Sequence, residues 1–363
     1  MKKALIFLAM IAAACAQGGK EAQVTPGEEL LGRLNGFVAE GKIAYGHQDD
    51  LVYGHSWLVT DWENDALERS DVKDVTGKFP MLLGFDLGGI ELGDSYNLDG
   101  VPFGLIRKAT LKHIERGGIV TFSWHPRNIV TGSDAWDVST PGIVTACLEG
   151  GQKEEEFGLW LQRTADFIES IGTEVPVIFR PWHENLGNWF WWGKDHCTNE
   201  EYIALFRKTK DYFDARGLSN VLWCYSPNGN AGADAYISRY PGDDYADILG
   251  IDTYEGLWGG LSIEQGAENF RAEVKQNLSY VQALAKEHGK LLCFAETGLE
   301  GIPDPTWWTE TLYPSIKDFP IAYVLTWRNA HDKPGHFYAA WDGFENAADF
   351  KTFSEFDNIE FLK

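Results

Sequence analysis

The sequence predicts a (β/α)8 barrel, the TIM-barrel architecture, as a single catalytic domain. Three observations carry this. Eight short apolar runs recur along the chain, amphipathic stretches separate them, and polar or aromatic residues cluster where the runs end.

The runs, in order, are Ile43-Ala44-Tyr45, Met81 to Phe85, Ile119 to Trp124, Val177 to Phe179, Val221 to Tyr225, Ile248 to Ile251, Leu291 to Ala295 and Ala322 to Trp327. Each is short and rich in β-branched or aromatic residues. Continuous apolar character suits parallel strands buried on both faces, whereas one-sided strands alternate. Between them, Leu105 to Arg116, Leu159 to Ile171, Tyr202 to Phe213 and Phe270 to Ala285 place apolar residues at helical spacing. Asn199-Glu200-Glu201 ahead of Tyr202 reads as a helix start. An open, doubly wound sheet is the rival. The count of eight and the polar strand ends favour the barrel, and no Gly-rich phosphate loop follows the first run. Residues 126–153 read as an inserted loop on the active face.

The chain's start reads as an address. Lys2 and Lys3 precede an apolar run, Ala4 to Ala14, too short to span a bilayer. The run ends in Ala13-Ala14-Cys15, which resembles a bacterial lipoprotein signal. The expected organisation is a signal peptide over 1–14, a lipidated Cys15 opening a polar tether over 15–30, and the catalytic domain over 31–363. The protein is then exported and held in the cell envelope, at the outer membrane. Of the other cysteines, Cys224 and Cys293 sit in apolar runs as small buried hydrophobes, while Cys147 and Cys197 lie in loop-like segments and can pair in an oxidising compartment. A net charge of −23 over 363 residues argues against nucleic acid as a partner. Fifteen tryptophans offer ring faces for sugars as well as core packing.

In a barrel enzyme the working groups come from the C-terminal ends of the strands. Here those ends carry Gly46-His47-Gln48-Asp49, Asp86, Trp124-His125, Arg180-Pro181-Trp182-His183-Glu184, Tyr225 with Asn228, Asp252-Thr253-Tyr254, Glu296 and Trp327-Arg328-Asn329. Glu184 and Glu296 each follow a strongly apolar run, the fourth and the seventh, which lie roughly across the barrel mouth from each other. Two carboxyls converging there can reach about 5 Å separation, the distance at which one captures an anomeric carbon while the other protonates the departing oxygen. Burial raises the pKa of the acid, and hydrogen-bond donors hold the nucleophile ionised. Trp182, Trp189, Trp191 and Trp192 are candidates for the apolar wall around Glu184; Tyr254, Arg328 or His125 for the partner of Glu296.

Arg180-Pro181-Trp182-His183-Glu184-Asn185 followed by Asn188-Trp189-Phe190-Trp191-Trp192-Gly193 resembles the acid/base motif of glycoside hydrolase family 26. Gly46-His47-Gln48, Ser123-Trp124-His125-Pro126, Ile251-Asp252-Thr253-Tyr254, Ala295-Glu296-Thr297-Gly298 and Thr326-Trp327-Arg328-Asn329 resemble further signatures of that family, in the same order. The resemblance runs from about Gly41 to Trp341. It implies a retaining glycosidase acting on β-1,4-mannosidic linkages of mannan, galactomannan or glucomannan, or on manno-oligosaccharides, without a cofactor or metal. Glu184 is then the acid/base and Glu296 the nucleophile. The resemblance casts His125, His183 and Trp189 as contacts around the cleaved linkage and Tyr254 as the nucleophile's hydrogen-bond partner. Trp327 is the floor under the reacting sugar and Arg328 the contact to the next sugar toward the non-reducing end. Trp136 belongs to the leaving-group side, and His47 is placed among the substrate contacts. Trp182 departs from the family pattern, in which Phe is common at that place.

Three other readings fit parts of the pattern. Xylan or mixed-linkage β-glucan is a substrate of some family members. His47, His125, His183 and His331, with Asp86 and Asp252, could form a hydrolytic metal site. A glycan-binding lipoprotein would need the aromatic platforms but not both glutamates.

Overall fold

The computed structural model describes residues 24–362. The signal and Cys15 lie outside these residues. The tether expected to residue 30 gives way earlier, to a helix at Pro26–Ala39. Thr25 caps it, with the Thr25 side chain accepting from Glu28 N and the Glu28 side chain accepting from Thr25 N, and Pro26 occupies the first turn where no N–H is needed. Gly27 N donates to Ser219 O at 3.1 Å, and a Cβ on Gly27 would meet that oxygen at 2.7 Å. Only glycine allows this approach, which seats the helix at the base of the barrel.

All eight runs are strands: β1 (Ile43–Gln48), β2 (Leu82–Asp86), β3 (Ile119–Trp124), β4 (Val177–Pro181), β5 (Val221–Tyr225), β6 (Ile248–Glu255), β7 (Leu291–Leu299) and β8 (Ile321–Thr326). Each pairs in parallel with the next. The pairing of β8 with β1, Ala44 opposite Tyr323 through His47 opposite Thr326, closes the barrel. A final strand, Ile359–Leu362, lies parallel to the start of β1 and antiparallel to Phe79–Pro80.

Helical segments fill the connections, among them Phe103–Glu115, Glu154–Ile171, Asn199–Ala215 and Ile263–His288. The last two begin upstream of their apolar periodicity because capping boxes set their starts: Thr198 with Glu201, and Ser262 with Gln265. The strands are buried almost throughout, and each large apolar side chain so buried contributes about 1.5–3 kcal/mol.

Side chains alternate along β1. Tyr45 points outward onto Trp308, Phe350 and Phe353. His47, two residues on, shares that outward face. Gln48 points inward, where a Cβ on Gly84 would overlap its Oε1 at 1.9 Å.

Cys147 and Cys197 are both free thiols. Each is buried and donates to a carbonyl, Ile143 O and Trp192 O respectively, so the possible pairing is not formed. Cys224 and Cys293 are buried as expected, with their sulfurs 3.8 Å apart inside the barrel.

Candidate active site

The C-terminal ends of the strands open onto a cleft of about 840 Å3 lined by both Glu184 and Glu296. Glu184 sits in a turn leaving β4 that is unusual twice over. Trp182 and Glu184 both adopt left-handed backbone angles, φ 55° and 53°. Such a conformation costs on the order of 1 kcal/mol or more per residue and persists only when its surroundings fix it. Here Tyr202 Oη donates to Trp182 O at 2.8 Å, Trp192 Nε1 donates to His183 O at 2.8 Å, and Glu184 N donates to Ser226 O at 2.9 Å. Trp182, Trp191 and Trp192 are fully buried and pack edge-on against one another. They brace the turn from behind.

Trp189 is the indole that touches the acid: its Nε1 donates to Glu184 Oε2 at 2.7 Å. The wall expected to raise the pKa of Glu184 is thus divided. Burial pushes the Glu184 carboxyl up to about 7, with the charge of Glu296 adding to it, while the Trp189 N–H, Arg180 and His125 pull the other way.

Glu296 is placed by a bulge in β7. Opposite β6, Phe294 pairs with Ile251 but Glu296 pairs with Asp252, so Ala295 is an extra residue. A bulge re-aims the following side chain, here at the mouth of the barrel. Two donors receive it. Tyr254 Oη donates to Glu296 Oε1 at 2.5 Å, and Arg180 Nη2 donates to Glu296 Oε2. Arg180 Nη1 also donates to Asp252 Oδ2 at 2.6 Å, and Ser226 Oγ bonds the other oxygen of Asp252. Arg180 brings a positive charge against Glu296, and Tyr254 brings a hydroxyl donor.

Arg180 was not among the expected site residues. A charged side chain directly after the apolar run Val177 to Phe179 was the available signal, because a buried guanidinium must be paired. Arg328, an alternative partner for Glu296, lies elsewhere: its guanidinium is 3.1 Å from Asp99 and 3.3 Å from Tyr53 Oη. It lines a smaller cavity of about 260 Å3 beside the main cleft, and Trp327, His125 and Trp136 line both.

The two histidines form a relay. His125 Nδ1 donates to Asp86 Oδ2 at 2.6 Å, and the two Nε2 atoms of His125 and His183 are 3.1 Å apart. Burial works against charge on His125, but Asp86, with Glu296 and Glu184 beyond it, raises its pKa. Burial, then Arg180 and His125, drive the pKa of His183 well down. Of the two rings, His125 is the one whose surroundings favour the proton. His125 and Trp136 stack 5.3 Å apart at the cleft surface. His183 does not line the cleft, so it reaches bound material only through its neighbours.

His47 is corrected more strongly. It is fully buried, on the outer face of β1, and its Nδ1 bonds Asp50 Oδ1 at 2.8 Å. It lines neither cavity. The residue sits at a strand end but on the wrong side of the two-residue alternation to face the mouth.

The metal reading meets a specific obstacle. His183, Asp252 and Glu296 bring ligand atoms within 4.8 Å of one another. The Arg180 guanidinium already bonds both carboxylates, placing a fixed cation where a metal ion would go. His331 packs against Tyr53 instead.

The sequence profile of glycosyl hydrolase family 26 matches residues 40–293. The chain belongs to glycosyl hydrolase family 26. A family 26 β-mannanase structure from Bacteroides ovatus is 41% identical with a TM-score of 0.86, covering 93% of this chain and 95% of that one. A Cellulomonas fimi endo-β-1,4-mannanase structure is 31% identical with a TM-score of 0.80, covering 94% of this chain and 76% of that one. The mannan endo-1,4-β-mannosidase of Bifidobacterium adolescentis is 31% identical over 341 residues, 86% of this chain but 33% of its own length. The chain thus spans about a third of that curated relative, and about half of the Bacillus subtilis one.

Proposed function

We propose that this chain is a retaining β-1,4-mannanase that cleaves mannan-type polysaccharides or manno-oligosaccharides by double displacement. The observation that carries the reading is the opposite character of two carboxyls on one cleft. Burial brings the Glu184 carboxyl up to about 7, so it can carry a proton at neutral pH, and Glu296 receives both Arg180 and Tyr254. An acid and a nucleophile in that arrangement are what glycosidic double displacement needs. Relatives named as mannanases support the choice of mannan.

In this reading Glu296 attacks the anomeric carbon as Glu184 protonates the departing oxygen, forming a covalent glycosyl-enzyme. Glu184, now a base, then takes a proton from water, and water releases the sugar with net retention. Trp327 lies under the reacting sugar, and Arg328 meets the next one toward the non-reducing end. His125, Trp136 and Trp189 line the linkage. His183 and Arg180 position His125 and Glu296. Product analysis on linear mannan, galactomannan, xylan and mixed-linkage glucan, with anomeric configuration followed by NMR, tests this. Retained products from the mannans are expected. Inverted products, or turnover of xylan or glucan alone, would overturn it.

The start of the sequence supports export and lipid anchoring at Cys15 in the cell envelope, at the outer membrane. Labelled fatty acid should enter the unaltered protein and not Cys15→Ala; equal labelling of both refutes the anchor.

A further inference from the structure

Among the described residues, the exposed tryptophans are Trp136, Trp189 and Trp258, and all three line the main cleft. The first two were anticipated. Trp258, 78% exposed, was not. Isolated exposed apolar side chains are ordinary, but an indole left in water on the wall of this cleft is a ring face available to a ligand.

Its loop is built to present it. Trp258 follows β6 in the sequence Gly256-Leu257-Trp258-Gly259-Gly260. A Cβ on Gly256 would strike the Trp258 ring at 2.3 Å, so only glycine lets the indole fold back against the chain there. Gly259 and Gly260 take φ of 74° and 80°, angles that glycine adopts without strain. Leu257 anchors the loop against the core. Asn230 and Glu273 line the same cleft as Trp258 and offer hydrogen-bonding groups there.

Position fixes which part of a substrate lies there. Asp99, bridged to Arg328, follows β2. Arg328 itself follows β8 and lines the smaller cavity with Asp99, whereas Trp258, after β6, lines the main cleft with Glu184 and not that cavity, so the two stand in different parts of the site. Resting on the mannanase reading, in which the non-reducing side runs toward Arg328, this end takes the leaving group. We infer that Trp258, with Asn230 and Glu273, forms a sugar-binding subsite on the leaving-group side, past the sugar next to the cleaved bond. Its ligand is a hexopyranose ring whose C–H face lies on the indole.

The test compares a long and a short substrate. Mannohexaose can extend a sugar onto Trp258, whereas 2,4-dinitrophenyl β-mannobioside leaves only a small aryl group on that side. Trp258→Ala should lower kcat/KM on mannohexaose by about tenfold, mostly through KM, a loss equivalent to one good stacking contact. The aryl substrate should be unaffected. Gly256→Ala, which displaces the ring without removing it, should show the same split, and Trp258→Phe should recover most of the loss. Unchanged kinetics on mannohexaose, or an equal loss on both substrates, overturns the subsite while leaving the mannanase reading intact. Turnover of neither substrate by the unaltered protein overturns that reading and this inference with it.

Discussion

Trp189 Nε1 lies 2.7 Å from Glu184 Oε2, so the indole that lines the cleft also donates to the group whose pKa burial raises. The two influences oppose each other. Burial and Glu296 hold Glu184 near 7; the Trp189 N–H favours its anion. As a general acid, Glu184 works below that value, so kcat/KM should fall as pH rises through about 7. Trp189→Phe removes the donor and should move that alkaline limb to higher pH while raising KM. A limb that stays in place or moves down would show that Trp189 does not tune the acid.

The carboxyls should separate by substrate. Glu296→Gln should abolish turnover yet leave binding of mannohexaose measurable by calorimetry. Glu184→Ala should lose about 10²–10⁴-fold on polymer but far less on 2,4-dinitrophenyl β-mannobioside, whose leaving group needs no proton. Near-normal turnover in the first variant, or equal losses on both substrates in the second, would refute the roles.

Tyr254→Phe deletes one hydrogen bond to Glu296 without changing the ring. A hydrogen bond to a charged group is worth about 1.5–3 kcal/mol, so kcat should fall about ten- to a hundredfold. An unchanged kcat, measured on mannan at saturation, would remove Tyr254 from the machinery.

Arg180→Met leaves Asp252 and Glu296 buried beside each other without their shared cation. Breaking a buried pair this way costs about 3–5 kcal/mol. Burial and the nearby carboxylates raise the Asp252 pKa, with Arg180 opposing them, so without Arg180 acid should neutralise it readily. The loss in Tm should then be larger at pH 8 than at pH 5. Equal losses at the two pH values would mean that lost packing, not uncompensated charge, is responsible.

His47→Gln tests whether that residue reaches the cleft. With its ring buried against Asp50, substitution should lower Tm and leave KM within about twofold, whereas His125→Ala should raise KM. A raised KM in His47→Gln with unchanged Tm would restore it to the cleft.

Much of this arrangement was legible beforehand, for identifiable reasons. The eight strands announced themselves because parallel barrel strands are apolar on both faces, and Glu184 and Glu296 stood out because a carboxyl directly after such a run sits at the mouth. What escaped depended on orientation. His47 and Gln48 are neighbours at one strand end, yet the pleat sends only Gln48 inward. Arg180 was visible as a charge directly after an apolar run, but its partners, Asp252 and Glu296, come from two other strands. The extra residue in β7, Ala295, leaves no compositional trace. Trp258 lies in a glycine-rich loop whose path no periodicity constrains.

The barrel's seam has a consequence for synthesis. Strand β1 finds its partners in β8 and in Ile359–Leu362, and Lys42 is 2.6 Å from Glu360. A nascent chain emerging from the ribosome therefore carries the first barrel strand with one side unsatisfied until β8 and Ile359–Leu362 have followed it. That open edge is an aggregation hazard. Ribosome-bound chains halted before residue 321 should be protease-sensitive throughout, and chains long enough to expose residue 362 should gain resistance in one step.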